Sequence, residues 1–371
     1  MKIAILGTRG IPNNYGGFEQ FTEYLSVGLV NRGHDVTVYN PHFHIYSKET
    51  FQGVKIRYIY SPENWLGAAA NFIYDFLCLR DALKMDYDII LECGYHSNAP
   101  SYYLMGKRSR PVLITNMDGL EWARSKWNLP TRALIKRLEK MAIQRSHYLV
   151  SDNKGIQNYY QSVFNAESAF IPYGAELVTK IDLQYLNNYS LSKNSYYLLI
   201  ARLEPENNIE MILDGYIISE SQNYPFIVIG NFNNKYGRYL IQKYTNTSVR
   251  FIGSIYDKSA LDTLRYYARI YFHGHSVGGT NPSLLEAMAS QAFIAAHDNE
   301  FNRSVCEDNA IYFSSPKEVM LLMQDYESGH ENEILLFKKN NLNLIDSKYR
   351  WEYIIEQYES LFNACVKKLE K

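Results

Sequence analysis

The opening of the chain constrains the fold more than any other feature. Lys2-Ile3-Ala4-Ile5-Leu6 is an apolar run with the length of a buried strand. It stops at a loop, residues 7–17, that holds four glycines, one proline and two asparagines. Phe18, Phe21, Leu25 and Leu29 then recur on one helical face, and Gly33 stands where a left-handed cap would close the helix. Val36-Thr37-Val38-Tyr39 reads as a second strand. Strand, crossing helix and strand in that order predict a parallel sheet.

The alternation persists. Strands are expected at 54–59, 87–91, 111–115 and 148–150, with helices over 72–83 and 131–145 and a last short strand at 170–174. A second series has strands at 195–201, 225–230, 249–253, 270–273 and 293–296, with helices over 209–219, 260–268 and 283–290. Trp351, Ile354, Ile355, Tyr358, Phe362 and Cys365 then share one helical stripe. A length of 371 residues suits two domains. The expected organisation is α/β: one doubly wound domain over 1–173, a second over 174–348, and a terminal helix, 349–371, packing back on the first.

Composition removes several function classes. Apolar residues are 46% and charged residues 21%, which excludes a disordered chain. A net charge of −1 argues against wrapping nucleic acid with a basic surface. Cys78, Cys93, Cys306 and Cys365 form no CxxC pair and are expected to be buried free thiols. The first apolar run is too short for a signal peptide, and no stretch is long enough to span a bilayer, so a cytoplasmic protein is expected.

Ligands of tandem doubly wound domains sit at the carboxyl ends of the strands, in a cleft between the domains. The strongest loop runs from His273 to Met288. Asn281 suits a helix N-cap and Pro282 the first helical position. Gly278-Gly279-Thr280 lead into that helix N-terminus, whose free N–H groups can hold a diphosphate. Glu286, one turn in, is placed to accept from a ribose hydroxyl; the competing reading is an ordinary turn with an exposed glutamate. Asn13-Asn14-Tyr15-Gly16-Gly17 makes a similar offer before the first helix, without the GxGxxG spacing of a dinucleotide fold. Arg202, after a strand, suits a diphosphate clamp or a surface ion pair. Asp118 follows another strand and suits a sugar hydroxyl or a base's role, or an Asx turn before Gly119. Asp86-Tyr87-Asp88 imitates a metal-binding DxD but precedes its strand, and no catalytic metal or other cofactor is expected.

The charge is uneven, +4 up to Tyr173 and −5 beyond it. The helix from Thr131 is both amphipathic and cationic. Trp122, Arg124, Trp127, Lys136, Arg137 and Lys140 are therefore expected on an acceptor or membrane side facing anionic lipid. A solvated helix face is the alternative.

Four motifs in one order, spanning nearly the whole chain, resemble retaining glycosyltransferases of the GT-B fold, the large family four type, in its rhamnosyltransferase-like branch. They are Gly7-Thr8-Arg9-Gly10-Ile11-Pro12 with Tyr15-Gly16-Gly17-Phe18-Glu19; Asn116 to Trp122; Ala201-Arg202-Leu203-Glu204-Pro205-Glu206-Asn207-Asn208; and His273 through Ala289. The resemblance implies two Rossmann-like domains facing across a cleft, with a nucleotide-sugar donor in the second. It implies that Arg202 neutralises the diphosphate and Glu286 holds the ribose, while Ile255 and Tyr256 receive the base. Gly16 and Gly17 would approach the phosphates, and Asp118 the transferred sugar or the acceptor. The sequence departs from the wider family twice. Asn207 replaces a lysine, whose charge Lys235 or Arg238 would supply, and Gly278 replaces a glutamate whose role His275 would partly cover.

The expected activity is transfer of L-rhamnose from dTDP-L-rhamnose to a lipid-linked saccharide in capsule, O-antigen or exopolysaccharide synthesis. The enzyme would act without metal, peripheral on the inner face of the cell membrane. A UDP-hexose donor, a nucleotide-sugar epimerase or hydrolase, and a non-catalytic scaffold are the alternatives.

Overall fold

The computed structural model describes residues 1–14, 16–219, 223–326 and 331–369. Tyr15 of the first motif and the last two residues of the expected terminal helix lie outside them. The chain divides into two compact units, Met1–Gly174 with Trp351–Lys371, and Ala175–Arg350.

The first unit holds strands β1 (Lys2–Leu6), β2 (Asp35–Pro41), β3 (Thr50–Phe51), β4 (Val54–Ile59), β5 (Ile89–Cys93), β6 (Val112–Asn116), β7 (Tyr148–Ser151) and β8 (Ala169–Phe170). Their order is β3-β4-β2-β1-β5-β6-β7-β8. All neighbours are parallel except the β3–β4 pair. Ile3 pairs with Val36 on one side and Ile89 on the other. Ile3 to Leu6 are almost wholly buried, as a central parallel strand covered on both faces requires.

Right-handed crossovers assign the helices to layers. The helix Gly17–Asn31 lies on one face of the sheet. The helices Ala70–Ala82, Leu129–Arg145 and Lys154–Phe164, with the 3-10 turn Ala99–Met105, lie on the other. The terminal helix Trp351–Leu369 packs on Gly17–Asn31. Trp351 stacks on Tyr24 with ring centroids 4.7 Å apart, and Glu359 accepts from Arg32 and His34, each at 2.8 Å.

The second unit holds β9 (Tyr197–Ile200), β10 (Phe226–Ile229), β11 (Val249–Gly253), β12 (Tyr271–His273), β13 (Ile294–His297) and β14 (Ile311–Phe313). The order is β11-β10-β9-β12-β13-β14, parallel throughout. Tyr197, Tyr216, Phe226 and Phe272 form an aromatic core with centroid separations of 5.3–6.3 Å. Much of the high tyrosine content is therefore structural.

The strand expected at 87–91 begins two residues later. Asp88 leads into it: its carboxylate accepts from the Lys2 backbone N–H at 2.9 Å, and its own backbone bonds to Lys2 and Val112 at 2.9 and 2.8 Å. Residues 300–349, unassigned from sequence, supply the helices Glu300–Cys306, Pro316–Tyr326 and Glu331–Leu344 and the edge strand β14.

Candidate active site

In the second unit the strand order reverses between β9 and β12. Open α/β sheets bind ligands at such a switch point, beyond the carboxyl ends of the strands. The loops there are residues 201–208 and 274–281, and they are fastened together. Asn208 Nδ2 donates to the Gly274 carbonyl at 2.8 Å, and Ser276 donates through its backbone N and Oγ to the Glu206 carbonyl at 3.1 and 2.8 Å. A Cβ on Gly274 would stand 2.0 Å from the Asn207 carbonyl oxygen, so only glycine permits this approach.

Arg202 projects from this junction, exposed and without an ion-pair partner among the described residues. Asn207, at the position of the family lysine, is buried and donates to the Arg202 carbonyl at 2.6 Å. It shapes the loop beneath Arg202. Lys235 and Arg238 are both exposed on the helix Lys235–Lys243, and Arg238 donates to the Asn233 carbonyl at 2.7 Å.

The helix Pro282–Ala289 begins at the expected cap, with Asn281 Oδ1 accepting from Ser283 N at 2.9 Å. Gly279 is partly exposed and Thr280 is buried. Gly278 has φ +137°, a conformation L side chains rarely adopt.

Glu286 is not the freely exposed carboxylate of the competing reading. Its Oε2 accepts from Arg265 Nη2 at 2.6 Å, and the Arg265 side chain is only 2% exposed. Arg265 also faces Asp262 at 3.4 Å, and Asp262 is closed off by Lys258 at 2.6 Å. The Glu286 side chain is 23% exposed, so the carboxylate held by Arg265 also reaches solvent.

His273 closes β12 and is buried, and neither ring nitrogen has a hydrogen-bond partner. Burial first, and His275 second, hold it well below the usual imidazole range, so the ring is neutral. His275 stacks on it at 4.4 Å. After β11, Ile255 is half-buried and Tyr256 is 86% exposed. Gly230 N donates to the Gly253 carbonyl at 3.0 Å, which links the ends of β10 and β11.

The first unit has its own switch point, between β1 and β5. Arg9 N donates to the buried Glu19 carboxylate at 2.8 Å, which fastens the 7–17 loop to the first helix. Gly16 caps that helix in extended backbone, and Gly17 is exposed. Asp118 has φ +51°, a strained conformation for a side-chain-bearing residue, and its N–H donates to Asn116 Oδ1 at 3.0 Å. Asn116 thus closes an Asx turn on Asp118, and the Asp118 carboxylate in turn meets the Gly119 backbone N–H. Burial raises its pKa, while Arg124 and His96 pull it down. His96, open to solvent on one side, is held below its ordinary value by the chain packed around it.

Glu121 gathers the following loop. It accepts from Arg124 Nε and, at 3.1 Å, from Trp127 Nε1, and Lys126 stands 3.3 Å away. Trp122 and Trp127 are both half-buried, with Lys136 and Lys126 over their rings at 3.9 and 4.6 Å. Lys136, Arg137 and Lys140 are exposed on their helix. All four cysteines are free and buried. Among the described residues no group of three or more His, Cys, Asp or Glu side chains is arranged to hold a metal ion.

Sequence reasoning missed Arg265, His273 and His96. A histidine closing a strand at a switch point is a readable signal. An arginine between Leu264 and Tyr266 on an amphipathic helix gives none, because its ion pair forms with a residue from the next helix.

Two reversing parallel sheets with ligand loops at their switch points define the GT-B class of α/β fold. Solved structures with that fold cover the chain almost completely. Sucrose-phosphate synthase from Thermosynechococcus elongatus is 14% identical, with 98% of each chain covered and a TM-score of 0.79. Alr3699/HepE from Anabaena, in complex with UDP-glucose, is 12% identical over 98% of this chain and 100% of its own, with a TM-score of 0.74. The trehalose-6-phosphate synthase OtsA is 10% identical over 98% of each chain, with a TM-score of 0.75. No curated protein matches the sequence. Residues 1–176 match a domain of unknown function, DUF1972, and residues 187–335 match the family described as Glycosyl transferases group 1. The second unit thus carries a group 1 glycosyltransferase domain, and the protein is a glycosyltransferase.

Proposed function

We propose that this glycosyltransferase moves L-rhamnose from dTDP-L-rhamnose to a lipid-linked saccharide at the inner face of the cell membrane, in capsule, O-antigen or exopolysaccharide assembly. The observation that carries the donor half is the β9/β12 junction. It joins an unpaired exposed Arg202, a glycine-led helix N-terminus and a carboxylate fixed by a buried arginine. These are the groups a nucleoside diphosphate sugar needs: a cation and N–H donors for the phosphates, and an acceptor for the ribose.

In the reaction the bond from the anomeric carbon to the diphosphate oxygen breaks, and a bond to an acceptor oxygen forms on the same face. The acceptor proton passes to the departing phosphate, so no enzyme nucleophile is required. Arg202 and the N–H groups at the start of the helix Pro282–Ala289 stabilise the charge that develops on the leaving group. His273 presents an uncharged ring beside it with His275 stacked on that ring, and Ile255 with Tyr256 cover the base. Gly16, Gly17 and Asp118 are the candidate site residues at the first unit's own switch point. The reading uses no metal. Lipid attachment of the acceptor rests on the basic helix Leu129–Arg145, with Lys136, Arg137 and Lys140 exposed.

A UDP-hexose donor is the second reading. A thymidine nucleotide lacks the 2′-hydroxyl that Glu286 is placed to accept, and HepE is solved with UDP-glucose. A thermal-shift panel of dTDP-rhamnose, UDP-glucose, UDP-galactose, UDP-N-acetylglucosamine and GDP-mannose, with wild type beside Arg202→Ala, decides. A ligand that binds only the native state raises Tm by mass action. The rhamnosyl reading expects a shift with dTDP-rhamnose that Arg202→Ala loses, with the unliganded Tm unchanged because Arg202 is exposed. A shift with a UDP sugar alone moves the assignment to the second reading. No shift with any donor refutes both.

A further inference from the structure

One layer of the first unit carries an apolar surface that the donor chemistry does not explain. Residues 64–74 contain no charged side chain. The helix Glu63–Leu66 and the start of Ala70–Ala82 hold them on the outside of the unit. Trp65 is 88% exposed and Leu66 49%, and Phe72, Ile73 and Phe76 are also exposed. The turn Ala99–Met105 packs between this helix and Leu129–Arg145, on the same face of the sheet. It adds exposed Tyr103, and the next helix adds Leu129 and Leu134. Contiguous exposed apolar surface of this kind marks a binding face on a folded protein.

Charge on the same three segments is sorted by depth. Every acid is buried or paired. Glu63 holds Arg9 at 2.7 Å, Asp81 holds Arg57 Nη2 at 2.8 Å, Asp75 is buried, and Glu139 is buried against Tyr159 and Tyr160 at 3.1 and 3.2 Å. The exposed charges on them are all basic: Arg80, Arg137, Lys140 and Arg145, besides Lys136, and exposed Lys107 and Arg108 follow the turn. Arg145 lies 4.2 Å over the Tyr103 ring and Arg80 5.9 Å over that of Phe76, so cations border the apolar side chains directly.

We infer that the face formed by Trp65–Phe76, Tyr103 and the helix Leu129–Arg145 docks on an anionic lipid bilayer. Trp65, Leu66, Phe72 and Ile73 enter the acyl boundary while the surrounding bases meet the headgroups. A second copy of this chain would present the same bases and meet like charge; an anionic bilayer supplies both the opposite charge and an apolar layer. No helix of the described residues is long and apolar enough to cross a membrane, so the contact is interfacial. The inference deepens the membrane-side acceptor proposed above and rests on that reading for its purpose. It moves the membrane contact from Trp122, packed against Tyr159 and Lys136, and Trp127, held by Glu121, to the Trp65 segment.

The test is flotation of the full chain with vesicles of phosphatidylcholine alone or with phosphatidylglycerol added, at low and high salt. Wild type and the Trp65→Asp/Phe72→Asp double variant are compared, since both positions are exposed and tolerate a polar side chain. Light scattering reports the oligomeric state, and donor thermal shift is read without vesicles. The expected result is binding to the anionic vesicles that weakens with salt and falls at least about tenfold in the double variant. The donor shift stays unchanged in that variant. Absence of binding to anionic vesicles, or equal binding by the variant, overturns the inference. So does a wild-type dimer that the variant converts to monomer, because a second copy then occupies the face. Vesicle binding without any donor shift would instead sink the transferase donor reading and leave this one standing.

Discussion

Replacing Arg265 by methionine tests whether the carboxylate at the donor loop is held by a buried ion pair. The Arg265 side chain is 2% exposed and reaches Glu286 at 2.6 Å and Asp262 at 3.4 Å. Methionine fills most of the volume but removes the cation. Breaking a buried pair from one side costs about 3–5 kcal/mol, because the charge left behind is uncompensated. Two features place this case at the low end. Asp262 keeps Lys258 at 2.6 Å and Ser290 Oγ at 3.3 Å, and the Glu286 side chain is 23% exposed and can recover water. The expected loss is therefore about 3 kcal/mol. For a unit the size of Ala175–Arg350 this lowers Tm by about 6–12 °C.

Differential scanning calorimetry is the assay, because two units need not unfold as one transition. The lowered transition should be that of the second unit, with the first unmoved. Arg265→Met combined with Glu286→Gln supplies the control. If the pair is the mechanism, the double variant loses less than the sum of the singles by more than about 1 kcal/mol. A fall under about 2 °C, or additive losses, would refute the argument and reduce Arg265 to a packed side chain.

Other outcomes follow from the same structure. Burial raises the Asp75 carboxyl to about 7, against a hydrogen bond from Ser97, and burial with the nearby Asp75 charge raises Glu92. The folded state therefore binds more protons than the unfolded state between about pH 4 and 7. Stability should fall as pH rises through that window, by on the order of 4 kcal/mol from Asp75 when fully ionised. Denaturant titrations at pH 5 and pH 8 should show this, and Asp75→Asn should flatten the dependence; a stability that rises with pH across the window contradicts it. Restoring the family glutamate as Gly278→Glu should not raise activity. It should cost on the order of 1–3 kcal/mol, because φ +137° suits glycine, and Gly278→Ala should cost a similar amount. Gly274→Ala should abolish donor binding before it abolishes folding of the first unit, since its Cβ would meet the Asn207 carbonyl at 2.0 Å. An unchanged donor shift in that variant would show that the two loops need not touch.

The parallel core was legible because it is written in local pattern. β4 and β11 fall at the residues the apolar runs mark, and the helices following β6 and β9 start within two residues of expectation. What stayed hidden depends on distant partners. The helix Lys154–Phe164 starts where Asn153 caps Gly155 N at 2.8 Å, but its tyrosines and glutamines mask the apolar face. Within 300–349 the helices are short or largely polar, and their partners are distant in sequence: Pro316–Tyr326 packs on Ile209–Ile218, and Glu331–Leu344 on Pro282–Ala289. The donor loop was readable in outline, since glycines, an N-cap and a strand-end arginine each carry a local physical reason. The state of each group was not. Glu286 is held by Arg265, which comes from the preceding helix, and His273 is neutral because burial disfavours its charged form.

The same distinction bears on the two departures from the family motifs. A lysine replaced by asparagine and a glutamate replaced by glycine look, as letters, like lost function. In the structure Asn207 holds the backbone of Arg202 at 2.6 Å, and Gly278 adopts a backbone that no glutamate would share. Both positions shape the loops that present Arg202 and the helix N-terminus. His273 and His275 stack on each other at the start of the second of these loops, with ring centroids 4.4 Å apart. Asn207 and Gly278 therefore have structural work in this chain whatever charge they lack. The donor panel with wild type beside Arg202→Ala measures whether the loops so built bind a nucleotide sugar.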